Sequence, residues 1–274
     1  VGKFRRRDGR KIVLATKFDN SSTFSPNRKR STPGSIREAV DGSLRRLGLE
    51  RLDLYQVHFP LKPAALDEYM GVLADMAQAG KIGAVGVSNF NAALMRKAHA
   101  CLARRGVPLA SNQVAYNLLH RYPERNGVLD ACRELNVALI AYTPLATGIL
   151  SGKYRHRATK LTVLQRLFFA LGSLDAFKER RDGAPLLRRL LTKPHAVSFT
   201  RLEPLFVVMD EIAKTHQRST AQVAVNWLLT ANPCVIPIPG AKNERQAREN
   251  AGALGWRLTE EERARLSKTE EATW

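Results

Sequence analysis

Residues 52–88 decide the fold: Leu52-Asp53-Leu54-Tyr55-Gln56-Val57-His58, then Leu66, Met70, Leu73 and Ala77 at helical spacing, then Gly80, then Ile82-Gly83-Ala84-Val85-Gly86-Val87-Ser88. The outer segments are apolar runs of strand length, suited to burial on both faces. The middle segment carries one apolar stripe and stops at a glycine, as amphipathic helices do. Strand, helix and strand in this order form a βαβ unit, which makes the two strands parallel.

The same alternation extends in both directions. Upstream, Ile12-Val13-Leu14-Ala15-Thr16 reads as a strand fit for burial on both faces. Thr32 then caps a helix with Pro33 at its first position, an apolar stripe of Ile36, Val40, Leu44 and Leu47, and Gly48 at its end. Downstream, the pattern predicts a helix over 91–104, a strand Leu109-Ala110-Ser111-Asn112-Gln113-Val114, a helix over 123–135 and a strand Val137-Ala138-Leu139-Ile140-Ala141-Tyr142. Residues 146–202 show no strand pattern. Leu164, Leu167, Phe168 and Leu171 suggest one short helix there, and Leu186, Leu187, Leu190 and Leu191 around Arg188-Arg189 an amphipathic one. Helices resume over 203–217 and 219–231, followed by a sixth strand, Cys234-Val235-Ile236-Pro237-Ile238, and helices over 243–252 and 259–271. Thr259 with Glu262 forms a capping box on the last.

Serial βα units give either a doubly wound open sheet or a closed barrel. No Gly-x-Gly-x-x-Gly follows any strand. Polar residues instead recur at strand ends: Lys17, His58, Ser88-Asn89, Gln113 and Tyr142-Thr143. A barrel gathers such residues on one face, so the pattern favours the barrel. Tyr55 lies an odd number of residues before His58, which turns it to the opposite face of the strand and into the core.

Composition is that of an ordinary globular chain: 44% hydrophobic and 25% charged in 274 residues. It excludes a collagen, a coiled coil and a disordered tail. No apolar run approaches the ~18–20 residues of a membrane span. The net charge of +19 points to a polyanionic partner such as nucleic acid, an anionic surface or a phosphate-rich ligand. Its distribution narrows that. Residues 1–31 hold ten Lys/Arg against two Asp/Glu, and residues 151–202 hold twelve against three, which leaves the rest near neutral at 22 against 20. No ladder of aromatics for stacking on bases accompanies the basic blocks. Cys101, Cys132 and Cys234 are scattered and read as free thiols of a reducing compartment. The chain starts at Val1 with no secretory signal pattern behind it.

Six short motifs occur in order: Ala15-Thr16-Lys17-Phe18, Asp53-Leu54-Tyr55-Gln56-Val57-His58, Val85-Gly86-Val87-Ser88-Asn89-Phe90, Asn112-Gln113-Val114-Ala115-Tyr116-Asn117, Tyr142-Thr143-Pro144-Leu145, and Ile236-Pro237-Ile238-Pro239-Gly240-Ala241-Lys242. In this order the sequence resembles the aldo-keto reductase superfamily from about residue 4 to its end, and within it the plant and algal plastid-type reductases. The resemblance implies an α/β fold of the (β/α)8 TIM-barrel type. It also implies one domain over 1–274 with a basic irregular insertion at 146–202. The family's first two strands, with their aspartate and proton-donating tyrosine, would precede this chain, so six of eight strands are expected here.

The resemblance further implies NADPH as cofactor and carbonyl reduction of a small aldehyde or ketone. Lys17 matches the family lysine that adjusts the tyrosine, and His58 the histidine that orients the carbonyl. Ser88, Asn89 and Gln113 match the groups that hold the nicotinamide carboxamide, and Tyr142 the residue that stacks on its ring. Thr143, Pro144 and Leu145, with Gly148 and Lys153, match the pyrophosphate turn. Gly240, Lys242, Gln246, Glu249 and Asn250 match the adenosine-phosphate segment; a helix N-terminus there favours an anion. Many family members carry Arg where this chain has Gln246. No metal is implied. The alternative is a non-catalytic NADP(H)-binding regulator or pseudoenzyme. A plastid location is suggested by the resemblance, with the cytoplasm as the other choice. A main role in nucleic-acid or membrane binding is not expected.

Overall fold

The computed structural model describes residues 12–18, 32–60, 65–155 and 199–271. The helices expected around Leu164–Leu171 and Leu186–Leu191 lie outside the described residues, as does most of the basic 151–202 segment. The strands are β1 (Ala15–Phe18), β2 (Leu52–Val57), β3 (Ile82–Ser88), β4 (Leu109–Ala115), β5 (Ala138–Tyr142) and β6 (Val235–Pro237). The helices are α1 (Pro33–Leu47), α2 (Leu66–Gln78), α3 (Ala92–Ala103), α4 (Tyr122–Arg125), α5 (Val128–Glu134), α6 (Phe199–Thr215), α7 (Thr220–Ala231), α8 (Glu244–Ala251) and α9 (Glu260–Glu271).

The sheet order is β1-β2-β3-β4-β5-β6. β1 to β4 pair in parallel register, with Lys17 opposite Gln56, Gln56 opposite Gly86 and Ser88 opposite Gln113. A doubly wound sheet reverses direction part-way across. This sheet adds each strand on the same side as the last, which is barrel winding, and the fold is α/β of the TIM-barrel type.

The chain divides into two compact units: residues 1–114 with 124–140, and residues 115–123 with 141–274. In the first, α2 packs on β3 and against both α1 and α3. Tyr55, Val57, Val85 and Val87 are buried with Ile36, Val40, Met70 and Leu73. Full burial of each such side chain contributes ~1.5–3 kcal/mol relative to exposure. Tyr55 stacks on Phe18 with ring centroids 5.9 Å apart, so the face assigned to it from the odd spacing is the one it occupies. In the second unit, α6 and α9 pack on α7 and α7 on β6. Trp227 is buried there, edge-on to Tyr116 at 5.6 Å, under the Arg121 guanidinium at 5.5 Å, and donates through Nε1 to Ser267 Oγ at 3.3 Å.

The element boundaries follow local chemistry. Thr32 Oγ1 accepts from Ser35 N at 3.3 Å while Ser35 Oγ accepts from Thr32 N at 3.1 Å, a reciprocal cap on α1. Gly48 ends that helix in the left-handed conformation, φ 62°. Thr259 and Glu262 cap α9 as their spacing predicts. Three expectations shift. The first strand starts at Ala15 rather than Ile12, and Val13 is 77% exposed instead of buried. The helix expected over 123–135 is two, α4 and α5. They are separated by Gly127 at φ 78° and an Asn126 side chain that accepts from Val128 N at 3.1 Å. The helix expected from 203 begins at Phe199 and carries Pro204 inside it.

Candidate active site

In the first unit, five predicted residues meet at successive strand ends. Lys17 Nζ donates to Gln113 Oε1 at 3.3 Å. Ser88 Oγ donates to Gln113 O at 2.8 Å, and Asn89 N donates to the same carbonyl at 2.9 Å. Asn89 Nδ2 donates to His58 O at 3.1 Å and to Ser88 Oγ at 3.2 Å. The His58 ring lies on Phe59, centroids 4.4 Å apart. Asn89 has φ 62°, a left-handed conformation that asparagine tolerates better than most residues and that turns the chain sharply at the strand end. Burial lowers the Lys17 pKa from its ordinary value, because a half-desolvated ammonium is disfavoured.

Below this group lies a polar layer that the motifs did not single out. Gln56 and Ser111 are buried, and Gln56 Nε2 donates to Ser111 Oγ at 3.2 Å and to Val87 O at 3.3 Å. Gln56 reaches β4 from β2 by crossing β3 at Gly86. A Cβ on Gly86 would stand 2.4 Å from Ser111 Oγ and 3.0 Å from Gln56 Cγ, so only glycine lets the bridge pass. Gln56 Oε1 is buried with no hydrogen-bond partner among the described residues. The even spacing of Gln56 to His58 and of Ser111 to Gln113 puts them on the site's face, and that signal could have found them.

In the second unit, Tyr142 ends β5 half-buried and Thr143 follows at φ 52°. Asn117 Nδ2 donates to Thr143 O at 2.9 Å and holds this turn; Asn117 is a third residue, after Gln56 and Ser111, whose role the motifs did not reveal. Pro144 is buried and Leu145 half-buried. Ala146, Thr147 and Gly148 follow with φ 47°, 54° and 94° in a 3-10 turn, Ala146–Ser151. A left-handed β-branched residue is disfavoured by roughly 1–3 kcal/mol. Thr143 and Thr147 both carry that cost here, within the predicted pyrophosphate turn. A Cβ on Gly148 would lie 2.8 Å from Lys153 Nζ, and the Lys153 ammonium sits 4.6 Å from the Tyr154 ring centroid.

The segment 240–250 forms the other part of this unit's predicted site. Lys242 is exposed, and its N–H donates to Gln246 Oε1 at 2.7 Å. Asn243 caps α8 by accepting from Gln246 N at 3.0 Å, and Asn250 Nδ2 donates to Gly240 O at 3.2 Å. Ser219 donates to Glu249 Oε1 at 2.5 Å. A Cβ on Gly152 would lie 3.5 Å from Thr220 Oγ1. Both predicted groups of the second unit therefore border the start of α7.

The aldo/keto reductase family model matches residues 1–271. The chain belongs to that family. The chloroplastic pyridoxal reductase of Arabidopsis thaliana is 35% identical over 258 residues, 93% of this chain and 61% of that protein. An aldo-keto reductase of Strobilurus tenacellus is 31% identical over 275 residues, 99% of this chain and 73% of that one. An aldo-keto reductase [NADP(+)] of Schizosaccharomyces pombe is 30% identical over 266 residues, 95% and 70%. Among solved structures, the glycerol dehydrogenase of Gluconobacter oxydans superposes with a TM-score of 0.73 at 28% identity, covering 98% of this chain and 75% of that one. The chain thus spans 61% of the Arabidopsis protein's length. Among the described residues no helix is long and apolar enough to cross a membrane, and no cluster of His, Cys, Asp and Glu could hold a metal ion.

Proposed function

We propose that this chain is part of an NADPH-dependent oxidoreductase that reduces an aldehyde or ketone to an alcohol. The observation that carries the reading is the connected set Lys17, Gln113, Ser88, Asn89 and His58 on four successive strand ends. Hydroxyl and amide groups at these positions match the donors and acceptors of a carboxamide. The orphaned Gln56 Oε1 beneath them adds a further acceptor in the same row. NADPH, when bound, supplies the hydride.

The chain's own residues then have separable tasks. Ser88, Asn89 and Gln113 orient the carboxamide, and Tyr142 offers its ring to the nicotinamide. Thr143, Pro144, Leu145, Gly148 and Lys153 receive the pyrophosphate. Gly240, Lys242, Gln246, Glu249 and Asn250 receive the adenosine phosphate. The exposed Lys242 and Arg245 favour NADPH over NADH, although Gln246 brings no charge. His58 donates to the carbonyl oxygen, where a donor stabilises developing negative charge by ~2.7–4 kcal/mol. The Lys17 cation lowers the pKa of an acid placed beside it. A plastid location is part of the proposal, supported by the chloroplastic Arabidopsis relative.

Fluorescence titration of the chain with NADPH tests the binding half. Saturable quenching is expected, and its absence would overturn the reading. The catalytic half is tested on a form that also carries the family's tyrosine-bearing strands. There, Lys17→Met and His58→Ala should each lower the carbonyl reduction rate by about 100-fold or more. NADPH binding without turnover of any carbonyl would favour the non-catalytic regulator.

A further inference from the structure

Asn112 and Gln113 face opposite ways, as adjacent strand residues must. Gln113 belongs to the site, whereas Asn112 is fully buried on the other face of β4, against Met95 of α3. Its nitrogen donates to Phe90 O at 2.9 Å and meets Met95 Sδ at 3.4 Å. Neither of those atoms can donate, so the flip of the amide is fixed. Its buried oxygen then has no hydrogen-bond partner among the described residues. An orphaned buried oxygen destabilises a fold, and an aliphatic side chain of similar size would avoid it. What the amide contributes against that is its hold on Phe90 O. That carbonyl lies one residue beyond Asn89, whose N–H donates to Gln113 O at 2.9 Å. Consecutive residues of β4 thus grip the chain on both sides of Asn89, Gln113 through its backbone and Asn112 through its side chain. Between the two grips Asn89 stands at φ 62°, a conformation disfavoured outside glycine. From there its Nδ2 donates to His58 O at 3.1 Å and to Ser88 Oγ at 3.2 Å.

We propose that Asn112 is a positioning residue for the nicotinamide end of the cofactor: it holds Phe90 O and thereby keeps Asn89 left-handed, with the Asn89 amide aimed across the ends of β2 and β3. The inference rests on the reading of Ser88, Asn89 and Gln113 as partners of the carboxamide. Asn112 acts through Asn89, because its own side chain lies on the face away from the site. Without its donor, Asn89 relaxes to ordinary backbone, its Nδ2 leaves His58 O, and the carboxamide loses a preorganised partner. The effect is confined to the nicotinamide half. The adenosine-phosphate segment is held by bonds of its own, from Lys242 N to Gln246 Oε1 and from Asn250 Nδ2 to Gly240 O.

The test is calorimetric titration of the 274-residue chain with two ligands, NADPH and adenosine 2′,5′-bisphosphate, which lacks the nicotinamide. Asn112→Leu should weaken NADPH binding about fivefold or more and bisphosphate binding less than about twofold. In an Asn89→Gly background no side-chain amide is left to aim, and glycine takes the left-handed turn unaided. There the same substitution should change NADPH affinity less than about twofold. If Asn112→Leu does not fold, Asn112→Ser carries the same measurements, since its hydroxyl stops one bond short of the position of the nitrogen. Equal losses for the two ligands, an undiminished loss in the Asn89→Gly background, or unchanged NADPH affinity in the Asn112 variants would overturn the inference while leaving the cofactor reading intact. An unmodified chain that binds no NADPH would overturn both.

Discussion

Gly86→Ala should be among the most damaging conservative substitutions in the first unit. The new Cβ would lie 2.4 Å from Ser111 Oγ, 3.0 Å from Gln56 Cγ and 3.2 Å from Leu54 Cδ1. Gly86 is not among the residues with positive φ, so the backbone itself accepts alanine. Reduced chain entropy in the unfolded state would even favour it by ~0.4–1 kcal/mol. Against that stand two larger effects. Overpacking costs ~1–3 kcal/mol. Turning Ser111 away strips Gln56 Nε2 of one partner, and a weakened buried hydrogen bond adds ~1–3 kcal/mol. The net expectation is a loss of about 1–5 kcal/mol, centred near 3, read as a lower urea midpoint at unchanged m-value. Removing the obstructing oxygen should relieve it: in a Ser111→Ala background the cost of Gly86→Ala should fall by at least about 1 kcal/mol. A Gly86→Ala protein as stable as the parent within about 0.5 kcal/mol, or an undiminished cost in the Ser111→Ala background, would refute the reasoning.

The second unit offers two further tests. Arg155 pairs with both Glu203 and Asp210 on α6 and lies 5.2 Å from the Phe206 ring centroid, with its side chain only 17% exposed. The hydrogen bonds it donates to these two carboxylates hold its pKa above the ordinary value. Because the carboxylates are half exposed, Arg155→Ala should cost only about 1–2 kcal/mol in urea, and Arg155→Lys should recover part of it; a neutral alanine variant would show the clamp to be idle. Burial works to raise the Glu262 pKa, but the Thr259 N–H and His216, 2.9 Å from Oε1, outweigh it, and the result is a lowered value. A carboxylate depressed on folding contributes stability above its unfolded pKa, about 4.5 for this group, and that contribution is lost as pH falls through the folded value. Glu262→Gln should therefore lower Tm at pH 6 and leave it nearly unchanged at pH 3; equal losses at both values would point to packing rather than charge.

The legible parts of the molecule were those set by local chemistry and by parity. Thr32, Gly48, Thr259 and Glu262 mark helix ends through bonds made within a few residues, and they sit where their spacing places them. Tyr55 could be turned away from the site's face and into the core because strands alternate faces, whatever surrounds them. The break at Gly127 was present in the Arg125-Asn126-Gly127 turn chemistry, and no apolar side chain lies between Pro123 and Val128 to carry a helix stripe through it. Val13 reads as a core strand residue because an apolar run carries no information on which neighbours are there to cover it. For the site, Lys17, His58, Ser88, Asn89 and Gln113 are found together as the motifs imply. Gln56, Ser111 and Asn117 stayed hidden because their partners are 31, 55 and 26 residues away in sequence. The register of the sheet brings the first two together, and the turn after β5 brings Thr143 O to Asn117.

The Gln56–Ser111 bridge bears on how the chain finds its strand alignment. Apolar runs such as Ile82–Ser88 can slide past one another by a residue at little loss, since valine and isoleucine are interchangeable in a two-sided sheet. A slip of β2, β3 or β4 would no longer be quiet. It would set Gln56 or Ser111 against the apolar helices, or place Val85 or Val87 where Gly86 leaves the passage. One amide and one hydroxyl thus mark the register of three strands, because a misaligned sheet would leave them buried without partners.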